Sequence, residues 1–277
     1  MPILYDSHLH TEHSPDSVQP LEEICETAIR RGLRGIAVTD HAELWHLEEQ
    51  HTFREIAASA AEAKAADARY EGRLRVFTGI EIAEAQDDPE NAAKLLNLAD
   101  YDVALASCHS VAFDRWSASY FFADIPFDTE TVPEETLREF LDAYFQKILR
   151  MAQSDDYDVL THLTCPLRYI NGKYHRNRDL RPWRDIIDEI LRTVIRRGKA
   201  LELNTSGIHG YYGKWMPDEE ILQRYYDFGG RLLTLASDAH TADRVGNAFR
   251  EAEELLQSIG FPRYCYYEHR QPRLCGW

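Results

Sequence analysis

Residues 6–17 read DSHLHTEHSPDS, three histidines set among acidic residues before any helical period begins. Imidazoles and carboxylates in that density are metal-binding chemistry placed at the start of the chain. In His8-Leu9-His10 the imidazoles stand two residues apart. An extended backbone therefore points both to one side, while Leu9 faces the packing layer. Asp238-Ala239-His240 repeats the spacing far along the chain. What unites the two pairs is the run of segments between them.

Short apolar runs rich in β-branched residues alternate with helical patterns, the signature of a parallel sheet with crossover helices. The expected strands are 2–6, 34–39, 74–80, 102–107, 157–161, 199–203 and 231–236. Helices are expected over 20–32, 134–152 and 183–197, where apolar residues recur every three or four positions; Gly32 is a suitable stop for the first. At or just after the strand ends stand His8 and His10, Asp40 and His41, Glu81, His109, His162, Asn204, and Asp238 with His240. Parallel α/β barrels build their sites at that edge, where the strand C-termini converge. Six strands delivering good ligands for zinc, manganese or iron to one mouth make a metal site the expectation. The aromatic stretch 110–132 has no period and reads as a loop covering something, either a lid or a surface excursion.

Composition bounds the rest. A chain of 277 residues with 44% hydrophobic content suits one domain, taken as 1–277. The net charge of −16 disfavours nonspecific binding to nucleic acid or an anionic membrane surface. No basic leader, apolar signal core or uncharged stretch of ~18 residues is evident, so no membrane association and a cytoplasmic location are expected. Five scattered cysteines without CxxC spacing read as reduced, buried thiols.

The segments HLHTEHSPDS, VTDHAE, GIEI, SCHS, THL and SDAH together resemble the PHP family, the polymerase and histidinol phosphatase superfamily of metal-dependent phosphoesterases. DYDVLTHLTCPLRY, GKALELNTSG and LASDAHTADRVGNAF make the likeness greatest to its standalone histidinol-phosphatase branch. The resemblance implies a distorted seven-stranded (β/α) barrel, TIM-like, with the site at the C-terminal ends of the strands. It implies three divalent ions, zinc, manganese or iron. His8, His10, Glu81 and Asp238 would hold the first, Glu81 would bridge to a second on His109 and His162, and Asp16, His41 and His240 would hold the third. Asp16 stands where other members carry histidine. His13 is read as lying outside direct metal contact.

The implied reaction is hydrolysis of L-histidinol phosphate by a metal-bridging hydroxide, with no side-chain nucleophile. Glu81, Asp238 and His209 are the expected catalytic groups. Arg168 is the expected phosphate clamp. His209, where related phosphatases carry arginine, is a candidate to contact phosphate or protonate the leaving alkoxide, and Arg244 is a further candidate for substrate binding. Glu43 or Glu84 could pair with the substrate amine, though no motif selects between them and a solvated carboxylate is the favoured reading of each. The same chemistry on another small phosphomonoester, or a noncatalytic metal- or phosphate-binding module, are the alternatives. An amidohydrolase-like barrel shares the HxH start but normally has eight strands, and residues 260–277 are the one segment left to supply another.

Overall fold

A computed structural model describes residues 4–116 and 120–276. Seven parallel strands follow one another around a barrel: β1 (Tyr5–Leu9), β2 (Gly35–Val38), β4 (Arg75–Ala83), β5 (Val103–Ser107), β6 (Val159–Leu160), β7 (Ala200–Asn204) and β8 (Leu233–Ala236). An additional short strand, β3 (His41–Glu43), also pairs with β4, above the end of β2. Gly79 sits where β4 changes partner. A Cβ there would meet Val38 O at 2.9 Å and Thr39 Cγ2 at 2.6 Å, so only glycine lets the chain cross so closely. The seam between β1 and β8 is closed by a parallel bridge of Leu9 to Ala239, with His10 N donating to Ala239 O and Asp238 N to His8 O, both at 2.9 Å. The buried Asp6 carboxylate reinforces the seam, accepting from Ser237 N and Oγ and from Gly246 N.

The distorted seven-stranded barrel is thus the one expected, with two shifts. The sequence places the first strand at 2–6, of which residues 2 and 3 lie outside the described residues, but pairing runs from Tyr5 to Leu9. His8 is therefore inside the strand. β4 likewise continues past 80, so Glu81 is a strand residue. Both face the barrel interior, where a polar side chain with partners does not end a strand.

Seven α-helices are described: α1 (Leu21–Arg30), α2 (Thr52–Arg69), α3 (Pro89–Leu96), α4 (Glu134–Ala152), α5 (Arg184–Arg196), α6 (Glu219–Asp227) and α7 (Phe249–Ile259). In α1 the buried residues Leu21, Ile24, Cys25 and Ala28 share one face, and Gly32 follows its end at φ 78°. In α4 the stripe Leu137, Phe140, Leu141, Tyr144, Phe145 and Ile148 is buried as its period requires. Asp88 and Asp218 cap α3 and α6 by accepting from Asn91 N and Ile221 N.

Residues 261–276 do not extend the barrel. They form an antiparallel hairpin of β9 (Arg263–Glu268) and β10 (Gln271–Gly276). Cys265 and Tyr267 of β9 pack with Phe77, Val103, Val159 and Ala200 near the strands' N-terminal ends. The end opposite the histidines is thereby closed with apolar side chains. The cysteines are free thiols, all buried except the half-buried Cys275. Among the described residues no helix is long and apolar enough to cross a membrane.

The stretch 110–132 contains residues 117–119, which lie outside the described residues. Its remaining C-terminal part is core: Phe122, Ile125, Phe127 and Val132 are buried against α4.

Candidate metal centre

His8 and His10 emerge side by side from β1, fully buried. His8 Nδ1 lies 2.8 Å from Glu202 Oε2, so it donates there and presents the Nε2 lone pair to the barrel mouth. His10 Nδ1 lies 3.0 Å from Ser14 Oγ, which in turn donates to Asp40 Oδ1. Asp40 is tied down further by Thr11 N, Thr11 Oγ1 and Ser59 Oγ. His10 Nε2 is thereby freed in the same direction as His8 Nε2.

The two Nε2 atoms stand 3.0 Å apart. Glu81 Oε2 is 3.3 Å from that of His8 and 3.6 Å from that of His10; Asp238 Oδ1 is 3.8 and 3.3 Å away in the same order. Four donors about one ion at bond lengths of ~2.0–2.2 Å would be about 3.3–3.6 Å from each other. His8, His10 and Glu81 therefore form a group that could hold a single first-row cation, with Asp238 Oδ1 beside the two imidazoles. Asp238 reaches this point from a left-handed backbone, φ 51°, which aspartate tolerates better than most residues.

The other oxygen of Glu81 serves a second group. His162 Nε2 lies 3.0 Å and His109 Nε2 3.3 Å from Glu81 Oε1, with 3.5 Å between the nitrogens. His109 is oriented by Glu43 Oε1, 2.6 Å from its Nδ1. Its backbone N and that of Ser110 donate to Glu84 Oε1, and Trp45 Nε1 donates to Glu84 Oε2. The side chains of Glu43 and Glu84 are both buried rather than solvated. Both oxygens of Glu84 are taken up by His109, Ser110 and Trp45, whereas only Oε1 of Glu43 is held by His109; its Oε2 has no hydrogen-bond partner and Glu43 lines the cavity above the cluster.

A third group lies at the rim. Asp16 Oδ2 is 3.1 Å from His240 Nε2 and its Oδ1 is 3.6 Å from His41 Nε2. The rings of His41 and His240 flank that of His10, with centroids 4.1 and 4.2 Å away. His41 Nδ1 is also 2.8 Å from Glu81 Oε2, yet both atoms are buried without a hydrogen bond. His13 stands outside these groups, between the carboxylates of Glu55 and Glu62 on α2, as expected of a residue with no direct metal contact.

The charge balance calls for cations. Burial opposes ionisation of Glu81 and Asp238, yet neighbouring imidazoles hold both carboxyls well below the usual range. Burial likewise opposes protonation of His8, His41 and His109, but carboxylates including Glu81 raise all three, His41 to about 10. His10, buried and beside His41 and His240, is pushed down to about 3. Such carboxylates require positive charge, which protons or divalent ions can supply.

The cluster floors a cavity of about 270 Å3 whose walls include Gln50, Phe121, Phe122, Asp124 and Arg168. Arg168 opens a π-helical turn, Arg168–Lys173, after β6. Its guanidinium lies over the Tyr169 ring at 5.0 Å, and its Nε is buried without a hydrogen-bond partner. Beyond it, a neighbouring cavity of about 280 Å3 is lined by Ser206, Tyr211 and Tyr212.

Two sequence candidates are not brought to this site. His209 is half-exposed, lines neither cavity, and has its Nε2 3.9 Å from Glu251 on α7. Thr205 Oγ1 fixes the root of its loop by donating to Ala236 O and Asn247 O, and backbone bonds within 205–213 turn the tip outward. Arg244 is exposed beside Asp243. Sequence reasoning missed Glu202, whose only signal was its place one turn of the pleat before Asn204 in a strand of a closed barrel.

The sequence matches the PHP domain family over residues 6–206. It is 27% identical to a probable histidinol-phosphatase of Thermotoga maritima over 93% of both chains. It is 26% identical to a histidinol-phosphatase of Lactococcus lactis, over 92% of this chain and 91% of that one. The crystal structure of a histidinol phosphate phosphatase from Lactococcus lactis, complexed with zinc, L-histidinol and phosphate, superposes with a TM-score of 0.76. At 22% identity over 98% of both chains, that likeness establishes the shared fold. With the domain match spanning most of the barrel and all but the last of the ligand-bearing strand ends, the chain belongs to the PHP domain family.

Proposed function

We propose that this protein is a metal-dependent phosphomonoesterase that hydrolyses L-histidinol phosphate to L-histidinol and phosphate. The observation that carries the chemistry is Glu81, whose two oxygens each face a separate pair of histidine Nε2 atoms. Relatives covering almost the whole chain and bearing the name histidinol-phosphatase support the substrate.

On this reading His8, His10, Glu81 and Asp238 hold one divalent ion, Glu81, His109 and His162 a second, and Asp16, His41 and His240 a third, with Glu81 and Asp238 as the groups closest to the chemistry. Divalent ions there would neutralise phosphoryl oxygens and lower the pKa of a coordinated water. The chain itself orients the imidazoles, through Glu202, Ser14 and Glu43, and offers Arg168 as a planar donor to the phosphate. An anionic ester can approach a chain of net charge −16 because the field of nearby ions outweighs distant, screened surface carboxylates. We also read residues 1–277 as one phosphoesterase domain, since β8, beyond the family match, closes the barrel and leads into Asp238 and His240.

The deciding experiment is phosphate release from L-histidinol phosphate beside a panel of other phosphomonoesters, using zinc- or manganese-loaded protein and a chelated control. Chelator-sensitive turnover that prefers L-histidinol phosphate is expected. Preference for another monoester would keep the cluster and discard the substrate, and bound metal without turnover on any ester would discard the enzyme.

Arg168→Ala is expected to lower kcat/KM by ~30- to 150-fold, the equivalent of ~2–3 kcal/mol for a lost charge-assisted contact, while metal content stays at the wild-type level. Unchanged kinetics would remove Arg168 from the site.

A further inference from the structure

β7 is the one barrel strand that supplies no candidate ligand, yet its inward side chains touch three of them. Glu202 and Asn204 are both fully buried. Glu202 Oε2 accepts from His8 Nδ1 at 2.8 Å. Its Oε1 accepts from the backbone N of His162 at 3.1 Å and from Asn204 Nδ2 at 2.9 Å. Asn204 Nδ2 also reaches Asp238 Oδ2 at 3.2 Å, and Asn204 Oδ1 accepts from Ser206 N and Oγ. We infer that Glu202 is a positioning residue that couples the first and second metal positions, with Asn204 extending its hold to Asp238. The inference rests on the metal positions proposed above.

Glu202 is not itself a ligand. Both of its oxygens are committed to N–H donors, and it approaches His8 at Nδ1, on the side of the ring away from the cluster. Its contacts run to two different ion positions. His8 belongs to the first and His162 to the second, and they come from strands two places away on one side and one on the other. A carboxylate behind a ligand imidazole fixes its tautomer and raises its basicity. Here the same carboxylate also fixes the backbone from which a second ligand hangs. A shift of the Glu202 side chain therefore moves ligands on both sides of Glu81 together.

A glutamine cannot substitute. One end of an amide can accept from His8 Nδ1, but the other end is then an NH2 group facing the His162 N–H and the Asn204 amide, donor against donor. Glu202→Gln is expected to weaken metal retention by ~10- to 100-fold in competition with a chelator, the usual range for such partners. After passage through a sizing column with chelator, the variant should carry two metal equivalents fewer than wild type. In turnover, kcat should fall with KM little changed, and cobalt-loaded protein should show an altered visible spectrum.

Wild-type metal retention in Glu202→Gln would overturn the inference, and loss of a single equivalent would overturn the coupling. A merely structural residue would lower the melting temperature of the metal-free protein and leave metal equivalents intact, which also counts against it. Should Glu202→Gln not fold, Glu202→Asp keeps the charge and the acceptors but withdraws them by one methylene; wild-type retention there is equally fatal. The metal readouts use no substrate, so failure of the histidinol phosphate assignment leaves this test standing, and a normal substrate profile does not rescue it.

Discussion

Glu81→Gln is expected to abolish hydrolysis and to remove metal from two positions in one step. Glu81 is fully buried, and its two oxygens each face a different pair of histidine Nε2 atoms: Oε2 toward His8 and His10, Oε1 toward His109 and His162. Glutamine preserves the shape but replaces one oxygen by an NH2 group, a donor with no lone pair to offer a cation. Whichever way the amide turns, one pair of histidines faces an NH2 group and the other a neutral oxygen, so both lose their shared anionic partner. The cluster also loses a negative charge that its imidazoles hold in the ionised form against the penalty of burial. Removing Lewis-acid stabilisation worth several kcal/mol lowers the rate by on the order of a thousandfold or more. Steady-state kinetics and elemental analysis of the same sample check both halves. A fully active, metal-replete variant would sink the bridging assignment.

This residue, with His8, His10, His41, His109, His162, Asp238 and His240, stands out in the sequence because strand ends in a parallel barrel share one mouth and because HxH and DxH spacing selects one face of an extended chain, whereas Asp16, on the loop after β1, is singled out by the family resemblance alone. The boundaries were less legible. His8 and Glu81 looked like residues beyond their strands, since a run of apolar residues stops before each; pairing continues because the inward face of the barrel accepts polar groups that have partners. Glu202 was hidden by the same logic. In ALELN an alternating reading puts Leu201 and Leu203 in the core and Glu202 in solvent, which holds for a sheet with one wet face and fails for a closed barrel whose two faces are both buried. His209 illustrates the converse. Its position after β7 promised the site, but where a loop tip points depends on tertiary hydrogen bonds, here from Thr205 to Ala236 and Asn247, that no local pattern encodes. α2 is hard to read from the sequence because its alanine-rich face carries little apolar contrast, although Ile56, Ala60, Ala63 and Ala66 are its buried stripe.

Phe140→Ala is expected to cost ~3–5 kcal/mol in unfolding free energy, the range for deleting a buried aromatic ring. The sequence leaves 110–132 open as either a lid or a surface excursion, and the structure buries Phe122, Ile125, Phe127 and Val132 of its described C-terminal part in the core while Phe121, Phe122 and Asp124 wall the cavity. Phe140 of α4 is fully buried and its ring centroid lies 4.8 Å from that of Phe113, 5.3 Å from Phe122 and 5.0 Å from Phe127, all edge-on. Three aromatic contacts made by one side chain to one long connection mean that the cavity left by alanine has no nearby flexible chain to fill it, and edge-to-face pairs add to the burial term. The loss should also be felt at the site, because Phe122 N donates to His109 O and Phe122 lines the cavity above the cluster. Chemical denaturation of the metal-free protein measures the first effect, and KM for the preferred ester the second. A loss below about 1 kcal/mol, the scale of a volume-conserving core swap, would mean that this segment is not anchored by α4 and that a freely moving lid is the better description.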